Sequence, residues 1–134
     1  MIDRILVPSS VHVTIGMAVL LVTLCCAGLT SWLAWRKQSL TKSAHALLIL
    51  SQIVLMVQVL IGIKLLDQGQ GVSQLYIHYV GGLSPLLFFI LLYWLPIAKP
   101  LTKTRLAAGL SIAAWVFALM AFGIGQMYVR RGTL

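Results

Sequence analysis

A chain of 134 residues of which 60% are hydrophobic and only 9% charged falls far below the roughly 25% charged residues of a soluble domain, so its solvent is a bilayer. The net charge of +8 does not make it a nucleic-acid binder, because the basic residues sit at the ends of apolar runs and form no single patch. Cys25 and Cys26 are neighbours inside an apolar run; they form neither a CxxC pair nor a disulfide framework and read as buried free thiols.

Four runs exceed the roughly 18 apolar residues that mark a spanning helix. The first is expected to run from about Ser9 to Trp35, with Pro8 and Ser9-Ser10 as start signals. It is too long for a signal-peptide core and ends in Trp35-Arg36-Lys37 with no small-residue cleavage site, so it is expected to be retained. The second runs from about Ser43 to Leu66 and is ended by Asp67-Gln68-Gly69-Gln70-Gly71. The third runs from about Ser73 to Leu95, stopped by Pro96 and Pro100, and the fourth from about Thr104 to Val129. Short connections make successive helices antiparallel neighbours. The expected fold is therefore all-α and integral to the membrane: one domain over 1–134, an up-down bundle of four transmembrane helices.

Orientation follows from counting lysine and arginine. Arg36, Lys37, Lys42, Lys99, Lys103 and Arg105 cluster at one end of the bundle. The other end holds Arg4, Lys64, Arg130 and Arg131 together with both acids, Asp3 and Asp67. The basic loops should face the cytoplasm and both termini the outer side, in a bacterial or archaeal cell membrane. Trp32, Trp35, Tyr93 and Trp94 form part of an inner aromatic belt, with Tyr76, Tyr79 and Tyr128 at the outer level.

This arrangement sets two histidines at one depth. His12 heads helix 1 and His78 heads helix 3, and each is followed four residues later by a glycine, Gly16 and Gly82. Residues four apart share a helix face, so each helix offers an imidazole with a gap beside it where a flat ligand fits. Histidines at helix ends also serve as interfacial anchors and glycines as packing sites; two such pairs at matched depth on alternate helices favour a ligand site. Two imidazoles are axial ligands for heme iron, and the expected cofactor is one heme b held by His12 and His78. Ser9, Thr14 or a backbone carbonyl is expected to hold the other ring nitrogen. Gly16, Gly81 and Gly82 leave room for the macrocycle, and Lys64, Arg130 and Arg131 are expected to meet its propionates.

His45, alone at the inner start of helix 2, is expected in an interfacial or inter-helix hydrogen bond. Gln52 and Gln58 should face the bundle or a partner subunit, since a lipid-facing amide is costly. Asp3 and Asp67 flank the membrane, so no intramembrane carboxylate relay exists in this sequence. Nor is there a phosphate loop, a hydrolytic triad or a Cys/His metal cluster.

His12 and His78 on the first and third helices, with Ala44-His45-Ala46-Leu47-Leu48 through Gln58-Val59-Leu60-Ile61-Gly62 on the second, resemble one half of heme A synthase. That family is built from two four-helix halves, each with a histidine near the outer end of its first and third helices. The resemblance covers essentially the whole chain and implies heme ligation by His12 and His78. The carboxylate of the family's Glu-x-x-His is replaced by Ser9, and the outer-loop cysteine pair is absent, so methyl-group oxidation does not carry over. The expectation is a small b-type cytochrome-like subunit for electron transfer or structural support in a larger respiratory or photosynthetic complex, bound to other membrane subunits or to copies of itself. The alternatives are a half-size heme A synthase acting as an oligomer and a heme-free scaffold or assembly subunit.

Overall fold

The computed structural model describes residues 6–70 and 75–132, with side chains described for 6–70 and 76–127. Among the described residues there are four helices: α1 (Ser9–Trp35), α2 (Lys42–Asp67), α3 (Leu75–Trp94) and α4 (Pro100–Gly132). Each has a stretch long and apolar enough to cross a bilayer, and all four pack into one all-α bundle. Asp3, Arg4 and the Arg130 and Arg131 side chains lie outside the described residues.

The helix ends explain where the sequence boundaries shift. α2 starts at Lys42 because the Thr41 hydroxyl accepts from the Ala44 amide at 3.2 Å, taking up one of the free donors of the first turn. α4 starts at Pro100, a turn before the Thr104 expected from the sequence. Proline lacks only an amide hydrogen that the first helical position would not use. α3 passes through Pro85 without ending; Pro85 removes a hydrogen bond to the Gly81 carbonyl.

α1 and α2 end in the same way. Gln38 N–H donates to the Leu33 carbonyl at 2.9 Å and Lys37 N–H to Ala34 at 3.1 Å. Gln70 N–H likewise donates to Leu65 at 3.0 Å and Gly69 N–H to Leu66 at 2.9 Å. This paired closure needs one left-handed residue. Gly69 supplies it at φ 76° without cost, whereas Lys37 adopts φ 54° with a full side chain.

Around the bundle α1 packs on α2 and α4, and α3 on α4 and α2, so α1 and α3 are diagonal. The α2–α3 seam is the most thinly packed of the four. Towards the basic-loop end Leu33, Leu48, Phe89, Leu92 and Ala107 are fully buried. Small polar residues between them are satisfied on their own helices: Thr23 donates to Val19 O at 2.7 Å and Thr30 to Cys26 O at 2.7 Å, as hydroxyls in apolar helices do. Cys26 is buried with Sγ 3.5 Å from Ser111 Oγ, but Cys25 is exposed on the bundle surface. The sequence expectation of two buried thiols holds for one, because successive helical positions point about 100° apart.

At the opposite end the chain before α1 is tied to the end of α2. Val7 N–H donates to Gln68 Oε1 at 2.8 Å, and Gln68 Nε2 donates back to Val7 O at 2.9 Å. This reciprocal pair fixes the entry of α1 beside the two histidines.

Candidate heme-binding site

His12 lies in the first turn of α1 and His78 in the first turn of α3, and the diagonal arrangement brings them together across the bundle. Their ring centroids are 6.1 Å apart with planes inclined at 58°. A metal–imidazole nitrogen bond is about 2 Å and the ring centre lies about 1 Å beyond the nitrogen. Two imidazoles on opposite sides of one metal ion therefore have centres about 6 Å apart, which is the separation found.

A cavity of about 160 Å³ lies around the pair, and each helix contributes a glycine to it: Gly16, Gly62, Gly82 and Gly125. Gly62 and Gly125 have matching duties. A Cβ on Gly62 would stand 3.2 Å from His12 Cε1, and one on Gly125 would stand 3.5 Å from His78 Cε1. Each histidine thus leans on a glycine of the next helix in the chain. His12 on α1 rests on α2, and His78 on α3 rests on α4, so the two helix pairs repeat one construction.

Two of the other glycines serve different ends. A Cβ on Gly82 would meet nothing within 4 Å, so this position opens onto free space. A Cβ on Gly81 would stand 3.0 Å from both Ala121 Cβ and Phe117 O. Gly81 is therefore needed for the close approach of α3 to α4 and does not line the cavity.

The histidines differ in what holds them. His78 Nδ1 is 2.9 Å from the Ala121 carbonyl. A carbonyl only accepts, so His78 carries its proton on Nδ1 and keeps the Nε2 lone pair free for a metal. A Cβ on Gly125, four residues on, would be in ordinary van der Waals contact with the ring. His12 instead has Nε2 3.3 Å from the Gln58 amide nitrogen, while His12 Nδ1 and Gln58 Oε1 are buried and have no partner among the described residues. Orphaned polar atoms are costly in an apolar interior, and both stand at this site.

Of the residues expected at the site, His12, His78, Gly16 and Gly82 line one cavity. Lys64 does not: its Nζ pairs with Asp67 Oδ2 at 2.7 Å on the rim of α2. An i,i+3 acid within reach engages the lysine. Arg130 and Arg131, expected beside it, lie outside the described side chains. Ser9 and Thr14 do not hold either ring, since Thr14 Oγ1 donates to Ser10 O at 2.9 Å on its own helix; the backbone of Ala121 does so for His78. His45 is at the other end of the bundle, with Nδ1 3.4 Å from Tyr93 Oη on α3. It makes the inter-helix contact expected of it.

Sequence reasoning missed Gln58, Gly62 and Gly125 as neighbours of the histidines. The signal was present as Gln58-x-x-x-Gly62, a polar residue and a gap on one face of an otherwise apolar helix.

No family model, curated protein or solved structure matches the chain.

Two imidazoles face one apolar cavity, one of them with Nδ1 held by a backbone carbonyl. The void itself has room for a small aromatic ring and is less than a macrocycle needs. Its wall on the α2 and α3 side includes Ile63 and Leu83, which are 57% and 45% exposed on the outside of the bundle. That wall is one side chain thick and flanks the thinnest seam.

Proposed function

We propose that this chain is a small membrane b-type cytochrome-like subunit, with His12 and His78 as the two axial ligands of one heme b. The observation that carries the reading is the 6.1 Å separation of two imidazoles on diagonal helices across a cavity lined by a glycine from each of the four helices. Bound there, heme supplies a one-electron couple whose potential is tuned by its ligands and their hydrogen bonds.

The protein's part is to hold and shield. His78 is oriented by the Ala121 carbonyl. Gly62 and Gly125 let both imidazoles lie against backbone. Tyr79, edge-on to His78 at 5.9 Å, and Phe122 contribute apolar walls that limit water. A site at one end of a bilayer about 30 Å thick does not carry an electron across alone. The function fits a subunit of a larger respiratory or photosynthetic membrane complex, in which a partner completes the path.

The resemblance to half of heme A synthase supports the ligand assignment, and Ser9 in place of the family's carboxylate argues against methyl oxidation. The test is titration of the detergent-purified chain with hemin. The expected result is saturation at one heme per chain with a low-spin Soret spectrum, lost in the double variant His12→Ala, His78→Ala. Absence of a Soret band in the wild type would refute the reading, as would equal uptake by the double variant.

A further inference from the structure

Two buried polar atoms at the cavity, His12 Nδ1 and Gln58 Oε1, have no partner among the described residues. Their side chains meet each other, with His12 Nε2 3.3 Å from Gln58 Nε2, and both residues line the void. The amide is seated against α1 because Gly16 has no side chain: a Cβ there would stand 3.2 Å from Gln58 Nε2.

What this pair leaves over does not depend on which way the amide is turned. If Gln58 N–H donates to His12 Nε2, the neutral ring carries its proton on Nδ1. A donor on His12 and an acceptor on Gln58 then go unanswered. If the amide is turned over, its oxygen accepts from His12 Nε2–H, and the leftover groups are an acceptor on His12 and a donor on Gln58. Either way one donor and one acceptor remain in an apolar interior, where both are costly. A single hydroxyl answers both, because it accepts and donates at once.

The rest of the void decides what carries the hydroxyl. A water molecule would answer the polar pair and leave the apolar remainder empty. A cavity of about 160 Å³ is the size that holds one six-membered aromatic ring. Among the described residues no charged side chain lines it, which favours a neutral ligand. His78 offers no second polar anchor through Nδ1, since that nitrogen is engaged by the Ala121 carbonyl. Ile63 and Leu83 belong both to the cavity wall and to the bundle surface, so one side chain separates the void from the acyl chains.

We propose that the heme-free chain binds a neutral single-ring phenol from the bilayer in this cavity, its ring in the void and its hydroxyl set between His12 and Gln58. The hydroxyl accepts a hydrogen bond from one of them and donates to the other, and no covalent bond is made or broken. The inference does not rest on the heme reading, and a phenol and a heme would claim the same space.

The probe is phenol added to the heme-free, detergent-purified full chain, with toluene as the ring that lacks the hydroxyl. Ring-nitrogen NMR of the histidine-labelled protein should show phenol moving the His12 signals, saturating at one per chain, and leaving His78 Nδ1 in place. Toluene should bind about tenfold more weakly, the worth of one buried hydrogen bond. Gln58→Leu should remove that preference for phenol. Gly82→Leu, whose side chain would enter open space in the cavity, should abolish the binding of both.

Phenol that leaves the His12 nitrogens unmoved would overturn the proposal and leave water as the partner of the two atoms. An equal preference in wild type and Gln58→Leu would also overturn it, as would binding that persists in Gly82→Leu, the mark of an adventitious additive only. A chain that binds phenol but takes up no hemin would end the heme reading alone. One that takes up hemin but not phenol would end this inference alone.

Discussion

The two ends of the bundle solve the same packing problem in opposite ways. Towards the basic loops, Phe89, Leu92, Leu33 and Leu48 close the interior with no exposure. At the histidine end the four helices place Gly16, Gly62, Gly82 and Gly125 around a void of about 160 Å³. Both ends are apolar and helical, so hydropathy does not separate them. Interiors pack at crystal-like density; this bundle reaches it at the basic-loop end, while the histidine end keeps a cavity beside two buried polar atoms that have no partner among the described residues.

That contrast is broken most severely at the closed end. Phe89→Ala should cost about 3–5 kcal/mol of bundle stability, measured by unfolding in mixed detergent. A cost under 1 kcal/mol would mean that this end is not the framework of the fold.

The neighbours Gly81 and Gly82 sharpen it next. Gly81→Leu drives a side chain into Ala121 and the Phe117 backbone, and should destabilise the bundle by about 1–3 kcal/mol. Gly82→Leu meets open space and should leave stability equal or higher, while hemin affinity falls at least about tenfold as the cavity fills. Two adjacent glycines with opposite outcomes would separate packing from ligand space; two equal outcomes would erase that distinction.

The smallest effect is far from the site. Lys37 holds a left-handed conformation with a side chain, so Lys37→Gly should stabilise the chain by about 1 kcal/mol, with heme uptake unaltered. A loss of stability there would place the Lys37 side chain, and not its backbone, in the account of the α1–α2 turn.

Much of this architecture was legible in the sequence, because a spanning helix is a matter of length and apolarity. The helix count, the antiparallel order and the matched depth of His12 and His78 all follow from that. The ends were less legible: Pro100 read as a breaker, yet it opens α4, where its missing donor is harmless. Rotation about each helix axis was least legible, since membrane helices are apolar on every face. Which face of α2 meets α1 therefore decides that Gln58 and Gly62 meet His12, and hydropathy is silent on it. Lys64 pairs with Asp67 on its own helix, a local contact that counting basic residues by membrane side does not reveal.

The central claim is that two imidazoles share one iron. Electron paramagnetic resonance of the ferric, hemin-loaded chain tests it most directly. The expected result is one low-spin bis-imidazole signal per chain, replaced by a high-spin signal or lost with the heme in His12→Ala and in His78→Ala. A low-spin signal that survives either substitution, or a wild type with none, would contradict it.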